Sequence, residues 1–400
     1  MINTCVVGLG CRGYSMLCDL LLNMEDLNVL SVCDVYEDRV QQAVEATGGK
    51  ARGFMDYKQA LSVPGLQAVF IFTDWSSHTD IAVHAMEKGI AVACEVGCEY
   101  SLENCFRLVR TQEETGTPYM LLENCCWGRE ELMATAMARR NLFGTIVHCS
   151  GAYAHDLRNE IAYGHMNRHY RFDNYANRCC ENYPTHELGP IAKLLDINRG
   201  NRILTVSSFA SKAAGLEEYI RNRENATEEM KNIRFLQGDI VTTVLTCANG
   251  ETILLRLDTT LPRSYSREFT VRGTRGLYMQ DTNSFFFDGD KEYFDPAEYY
   301  RGSLNNGVRY QEYLPDAWKN LTDREIQLGH GGMDWLAYTA FIRALKNGEE
   351  MPVDVYDAAT WQAVSVLSEL SIQQGGAPQV MPDFTGGKWK ERPRRDVCEL

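Results

Sequence analysis

Apolar residues follow two different rhythms along this chain. From Ile2 to about Asn124, short apolar runs alternate with amphipathic stretches. The runs Cys5-Val6-Val7, Val29-Leu30-Ser31-Val32-Cys33, Ala68-Val69-Phe70-Ile71-Phe72-Thr73, Ile90-Ala91-Val92-Ala93-Cys94-Glu95 and Tyr119-Met120-Leu121-Leu122 predict strands, and the stretches around 81–88 and 102–114 predict helices. Unbroken apolar strands separated by helices indicate a parallel sheet covered on both faces. The pattern therefore predicts a doubly wound Rossmann domain over residues 1–126. After a helix near 130–141 the texture changes. Residues 145–153, 205–209, 241–247, 252–258 and 268–271 read as strands of an open sheet, with Ala248-Asn249-Gly250-Glu251 as a hairpin turn. Helices near 189–195, 334–346 and 357–373 complete a second α/β domain over 127–400, built on a large, open, mainly antiparallel sheet. The polar stretch 213–231 and the aromatic stretch 285–313 read as loops or lids. No internal repeat is visible.

The first strand runs into Gly8-Leu9-Gly10-Cys11-Arg12-Gly13, and Asp34 stands at the end of the second. Gly8 allows the sharp turn from strand to helix, Gly10 lets backbone approach a pyrophosphate, and Gly13 lets the helix lie close to the strand. Helix N-terminal amides then meet the phosphates. An acid some 20 residues further on suits a ribose diol and repels a 2′-phosphate, so Asp34 favours NAD over NADP. Polar or acidic residues also end the later strands: Thr73-Asp74, Glu95 and Glu123-Asn124. Ligands of such sheets bind beyond the carboxyl ends of the strands, so these positions are expected to line one crevice.

Composition narrows the partners. At 400 residues the chain exceeds one common domain, and its formal charge of −14 argues against nucleic acid or an anionic membrane as the main partner. No apolar stretch is long enough to span a bilayer. Ile2 enters the first strand with no export signal before it, which predicts a cytoplasmic location. The 14 cysteines read as reduced, mostly buried small apolar residues. Cys125-Cys126 and Cys179-Cys180 lack the spacing of a zinc site, so no metal is expected.

Longer strings carry a resemblance. These are Leu122-Glu123-Asn124-Cys125-Cys126 with Gly128-Arg129-Glu130-Glu131-Leu132, Ala152-Tyr153-Ala154-His155-Asp156-Leu157-Arg158, and Tyr183-Pro184-Thr185-His186 with Leu188-Gly189-Pro190. They continue with Asp258-Thr259-Thr260-Leu261-Pro262-Arg263-Ser264-Tyr265-Ser266, His330-Gly331-Gly332-Met333-Asp334 and Pro382-Asp383-Phe384-Thr385. The chain resembles the Gfo/Idh/MocA oxidoreductase superfamily and, within it, the NAD-dependent glycoside hydrolases of family 109, typified by bacterial α-N-acetylgalactosaminidases. Ordinary dehydrogenases of the superfamily carry Glu-Lys-Pro after the fifth strand; here the stretch is Glu95-Val96-Gly97, without the proton-carrying lysine. The resemblance implies a glycosidase in which NAD⁺ is recycled: hydride leaves C3 of the sugar, the C2 proton becomes acidic, the aglycone leaves C1, water adds, and the hydride returns. A net sugar dehydrogenase and a catalytically silent NAD-binding sensor remain as alternatives.

Carried over residue by residue, the resemblance places Tyr153, Tyr183, Pro184, Thr185, His186 and Tyr265 around a small glycoside. His186 is the first choice for proton transfer at C3 and Tyr153 for the base at C2, although a phenol needs a lowered pKa for that; the two roles are exchangeable. Arg12 and Gly13 should face the pyrophosphate, Asp34 the adenosine ribose, and Trp75-Ser76-Ser77-His78 the crevice edge after Thr73. Glu95, Val96 and Asn124 should lie by the nicotinamide ribose, with Arg171 and Tyr183 reaching the cofactor from the second domain. Trp75 is alternatively core, and His78 a helix cap. Glu123 orients a base or the ribose, or caps the helix after Gly128. The open sheet common in the superfamily implies a homo-oligomer, a dimer or tetramer.

Three departures from the family pattern stand out. Glu187 replaces the usual glycine after His186, Asn177-Arg178-Cys179-Cys180-Glu181-Asn182 differs from the family's sequence before Tyr-Pro-Thr-His, and Asp74 stands where proline is common. A carboxylate beside His186 would act on the imidazole or exclude an anionic sugar. The glycine turn and Asp34 make one expectation checkable at once: purified protein, denatured and chromatographed, releases NAD(H). Recovery of NADP(H) alone would overturn the role given to Asp34.

Overall fold

The computed structural model describes residues 1–164, 166–289 and 304–400. They fold as two compact units, Met1–Trp127 with Asn320–Thr360, and Gly128–Lys319 with Trp361–Leu400. Residues 320–360, which the apolar pattern grouped with the C-terminal part, thus pack in the first unit.

The first unit is built on a six-stranded parallel sheet in the order β3-β2-β1-β4-β5-β6. Its strands are β1 (Ile2–Val7), β2 (Leu27–Cys33), β3 (Arg52–Phe54), β4 (Ala68–Ile71), β5 (Ala91–Cys94) and β6 (Tyr119–Leu121). The strand order reverses between β1 and β4, which pair in parallel, and this is the switch point of a Rossmann sheet, where ligands of such folds sit. Every residue of β4 and β5 is buried, which is why their sequences are apolar without alternation.

The helix Met333–Asn347 joins this core through one face. Ala337, Tyr338, Phe341 and Ala344 recur at helical spacing and are fully buried or nearly so. The Tyr338 ring stacks on Phe70 of β4 at 5.5 Å, and Phe341 meets the same ring edge-on at 5.6 Å. Truncating an aromatic side chain so buried costs about 3–5 kcal/mol, so tertiary packing rather than chain order decides where this helix belongs. The Leu121 amide of β6 also donates to the Val353 carbonyl at 3.2 Å.

Among the described residues the second unit holds an eight-stranded sheet, ordered β13-β12-β11-β7-β10-β9-β8-β14. The strands are β7 (Ile146–Ala154), β8 (Ile203–Ala210), β9 (Ile240–Cys247), β10 (Thr252–Asp258), β11 (Thr270–Gly273), β12 (Gly276–Met279), β13 (Ser284–Phe287) and β14 (Gln379–Val380). β7 and β10 pair in parallel, with Tyr153 opposite Leu257, and the other pairs are antiparallel. The β9–β10 hairpin turns where the sequence placed it, with Gly250 at φ +98°. Two short helices, Gly215–Arg221 and Glu228–Lys231, occupy the polar stretch read as a loop. The aromatic stretch contributes β13 and a 3₁₀ turn at Gly307–Tyr313, and its residues 290–303 lie outside the described ones.

The helix Thr185–Leu194 lies against β7 at a distance only glycine permits: a Cβ on Gly151 would stand 2.8 Å from the Glu187 carbonyl oxygen. Serine hydroxyl oxygens on the C-terminal helical segment accept from neighbouring backbone amides, Ser371 from Ser208 and Ser368 from Glu181, each at 2.8 Å. All 14 cysteines are free thiols. Among the described residues no helix is long and apolar enough to cross a membrane.

Candidate active site

In the first unit the glycine turn is closed on one side and open on the other. A Cβ on Gly8, whose φ is +93°, would lie 2.5 Å from the Phe72 carbonyl carbon, and one on Gly13 would lie 1.9 Å from the Gly8 oxygen. Gly10 would meet nothing nearer than 3.5 Å. The helix Cys11–Asp19 starts there with no side chain capping its first turn. Its leading amides are therefore available to a diphosphate, and the cradle fits a dinucleotide. Asp34 is buried, accepting from the Leu9 amide at 2.7 Å and the Tyr36 amide at 3.0 Å. These donors fix the carboxylate at the tip of β2 and leave it lone pairs for two hydroxyls. Arg39, 3.7 Å from Asp34 and stacked over Tyr36 at 4.8 Å, was not read from the sequence.

Arg12 does not stand free at this turn. Its Nε donates to Glu95 Oε2 at 2.8 Å, and its two terminal nitrogens grip Asp334 at 2.8 and 2.9 Å. Asn124 Nδ2 donates to Asp334 Oδ1 at 2.7 Å, and His330 Nδ1 lies 2.9 Å from Oδ2. Arg12, Glu95 and Asn124, expected on separate parts of the cofactor, thus converge on one buried aspartate. Despite complete burial, the Arg12 guanidinium and the His330 contact hold the Asp334 carboxyl well below the usual carboxylate range. Asp334 and His330 carried no role in the sequence reading, although both stand in the quoted His330 to Asp334 string. Glu95 also accepts from the Val96 amide at 3.0 Å, and Val96 itself is buried.

Beyond β4, Thr73, Asp74, Ser76 and Ser77 form a small hydroxyl–carboxylate net, with Ser77 Oγ donating to Thr73 Oγ1 at 2.7 Å and Ser76 to Asp74. Trp75 is core: a Cβ on Gly97 would come 2.5 Å from its ring, which accounts for glycine where proline was expected. His78 opens the helix His78–Glu87 with Nε2 3.1 Å from the Thr73 carbonyl, and burial pushes its imidazole toward the neutral form. Glu123 is fully buried and accepts from the Cys125 amide at 3.0 Å. Helix Arg129–Arg139 begins at Gly128.

The second unit gathers the aromatic and imidazole residues. Tyr153 and Tyr183 have ring centres 4.4 Å apart, and His186 stands edge-on to both, at 5.4 and 4.7 Å. Tyr153 ends β7, while Pro184 caps the helix that carries Thr185 and His186. Pro190 sits inside that helix and supplies no amide to the His186 carbonyl four residues back. Thr185 is buried with its hydroxyl unpartnered. Tyr265, half exposed, reaches this group through His155: their rings lie 5.2 Å apart, and His155 Nδ1 is 3.3 Å from the Tyr153 hydroxyl oxygen. His155 stood in a quoted string, but its role was missed.

Arg171 is buried over the Tyr183 ring at 4.8 Å and ion-paired to Glu160 at 2.6 Å, and His169 lies 3.4 Å from the same carboxylate. Burial drives the Tyr153 phenol well above its ordinary value, with Arg171 opposing only in part. The resting phenol is therefore a proton donor, opposite to what a C2 base needs. Burial likewise holds His155 toward neutrality. Glu187 does not face the imidazole at all. Its Oε2 accepts from the Tyr153 amide at 2.8 Å and the Arg256 amide at 3.2 Å.

Comparison with known proteins agrees with both halves. Residues 2–122 match the family model described as oxidoreductase family, NAD-binding Rossmann fold, and residues 127–391 match glycosyl hydrolase 109, C-terminal domain. The chain belongs to glycosyl hydrolase family 109. A family 109 protein of Stenotrophomonas maltophilia is 38% identical over 97% of this chain and 90% of its own. An α-N-acetylgalactosaminidase of Tannerella forsythia is 33% identical over 93% of this chain and 84% of its own. A levoglucosan dehydrogenase solved with NADH and levoglucosan shares the fold, with a TM-score of 0.71 at 16% identity, over 96% of this chain and all of that one. This family 109 member is thus a glycosidase of the Gfo/Idh/MocA type with NAD as its cofactor, and the dehydrogenase and sensor alternatives are not favoured.

The buried Arg12–Asp334 clamp gives a stability prediction. A carboxyl whose folded pKa is depressed adds stability above its unfolded value of 3.8, and that stability fades as pH falls through the folded pKa. Asp334→Asn should lower the melting temperature at pH 7 by ~4–8 °C. The gap to wild type should narrow as the pH is brought toward about 3. Thermal scans at several pH values check both the size and the direction.

Proposed function

We propose that this chain hydrolyses α-N-acetylgalactosaminides or related hexopyranosides by a redox elimination in which NAD⁺ is regenerated in every turnover. One observation carries the reading: the acid–base groups clustered in the second unit are phenols and imidazoles, with Tyr153, Tyr183 and His186 ring to ring within 5.4 Å. Of the carboxylates of this unit, Glu160 pairs with Arg171 and Glu187 accepts from two backbone amides. Direct displacement at C1 needs two carboxyl groups spanning the scissile bond. Elimination needs only a base at C2, a donor at the C3 oxygen and a proton for the leaving group.

NAD⁺, held by Gly8, Gly10, Gly13 and Asp34, supplies a reversible hydride acceptor for C3. The burial of Tyr153 favours the exchanged assignment of proton roles. His186, edge-on to Tyr153 and Tyr183, takes the C3 hydroxyl proton as hydride leaves C3, passes it to solvent, and then takes the C2 proton. Tyr153, protonated at rest, donates to the oxygen on C3 and stabilises it as negative charge develops during C2 deprotonation. The bond from C1 to the aglycone oxygen then breaks, the aglycone leaving with the proton His186 took from C2; water adds at C1, its proton passes through His186 to C2, and hydride and a proton return to C3. Tyr183 and Tyr265 hold the sugar, Thr185 offers its unpartnered hydroxyl to a ring substituent, and Arg171 favours electron-rich oxygen beside Tyr183.

The relatives named α-N-acetylgalactosaminidase support the choice of sugar. Free thiols throughout suit a reducing cytoplasm. Exposed apolar side chains on the second sheet, Val147, Leu204, Phe209, Val244 and Val380, suit a homo-oligomer.

His186→Ala and Tyr153→Phe should each cut turnover by ~10²-fold or more while NAD remains bound. Near-normal activity in both would overturn the assignment. The order of steps has its own test. Product formed in deuterated water should carry deuterium at C2, because that hydrogen becomes acidic only after C3 is oxidised. Mass spectrometry of the released sugar reads this, and a C2 position that stays protonated through complete hydrolysis would end the redox-elimination proposal.

A further inference from the structure

Glu181 and Glu187 meet beside the backbone of Tyr153. Both are buried, at 0% and 1% exposure. Glu187 uses Oε2 on the amides of Tyr153 and Arg256, which belong to the parallel strands β7 and β10. Its Oε1 and both oxygens of Glu181 have no donor at hydrogen-bond distance and angle. The two carboxyl groups instead face each other, with the backbone of Tyr183 and Leu257 beside Glu181. Two carboxylates cannot remain ionised side by side without water or a cation, so one proton must lie between them.

The surrounding charges do not relieve this. On β10, the Arg256 guanidinium pairs with Glu268, and Asp258 pairs with Arg263. Arg178, upstream of Glu181, is held by Glu369 on the C-terminal helix. On the Glu187 helix the remaining titratable groups are His186, whose ring lies edge-on to Tyr153 and Tyr183, and Lys193, six residues beyond Glu187. From β7 the pair meets Tyr153 through its amide.

We propose that Glu181 and Glu187 share a single proton and act as a positioning pair, locking the strand end that carries Tyr153 to the helix that carries His186. The bridge ties three chain segments at one point: the approach to Tyr183, the first turn of the His186 helix, and the β7–β10 pairing. Burial pushes the Glu181 carboxyl up to about 8, with its contact to Glu187 opposing, and burial together with repulsion from Glu181 pushes the Glu187 carboxyl well above its ordinary value. The folded protein therefore keeps a proton that the unfolded chain releases above 4.5, and stability attributable to the pair declines as pH rises from there toward about 8.

The wild-type protein supplies the first test without any substitution. Ordinary carboxyl groups are fully ionised at both about pH 6 and about pH 9.5, so an infrared difference spectrum between them isolates any high-lying carboxyl. Loss of a protonated-carboxyl band on raising the pH is expected, with Glu181→Gln and Glu187→Gln each abolishing it. No such band, or a band that both variants retain, overturns the shared proton. If the variants fail to fold, the wild-type spectrum still decides. The second test reads positioning, and only this one rests on the glycosidase assignment. Glu181→Ala should lower kcat ~10-fold with a smaller change in KM, while Glu181→Gln, whose amide can replace the shared proton as donor, recovers most of the loss. Equal losses in the two variants would overturn the positioning role. Relative to wild type, the melting temperature of the Glu181→Gln variant should rise by about 3 °C or more between pH 5 and pH 8. A constant difference would count against the pair.

Discussion

Close approach of backbone to backbone, where no Cβ can stand, is the constraint on which both units depend. Gly8 and Gly13 let the first helix, the first strand and the strand across the switch point converge, and that convergence is what leaves amides facing outward at Gly10. Gly151 does the same in the second unit, letting the His186 helix lie on β7 with the Glu187 carbonyl almost in the strand. In each case a missing methyl group sets an inter-element distance, and the distance sets which polar groups can meet. A single Cβ at any of the three positions would push apart elements whose side chains are otherwise correct.

The first sheet was legible because its strands are buried on both faces and its helices on one, so periodicity reports topology directly. Short edge elements were not. β3 has three residues and β12 and β13 four each, too few for a period to register. Nor did the pattern reveal that 320–360 pack with the first unit, because Tyr338 and Phe341 declare only that they are apolar on one face, not that Phe70 is their partner. Periodicity names faces; it does not name neighbours.

The same limit applies to the candidate site. Tyr153, Tyr183 and His186 were found through strings whose order along the chain matches a family, and the structure brings their rings together. What the strings could not supply was the direction of each side chain. Glu187 looked like a neighbour of the imidazole and instead serves the amide of Tyr153. Arg12 looked like a phosphate ligand and is gripped by Asp334, a residue 322 positions away that had seemed only the start of a helix. Charge partners separated by so much sequence leave no local trace, whereas a glycine turn does.

The pairing order of the second sheet bears on how the chain is made. β7, which ends in Tyr153, finds its parallel partner in β10, so His148 must wait for Thr252. β8 in turn pairs at its far side with Gln379 and Val380. The first unit waits as well, since the face of Phe70 stays open until Tyr338 and Phe341 emerge. During synthesis, then, the Phe70 patch stands uncovered while most of the remaining chain is translated, and long-range strand pairing is slow even afterwards. A chain stopped short of residue 341 would leave that patch bare, the kind of transiently exposed apolar surface on which partly folded chains associate.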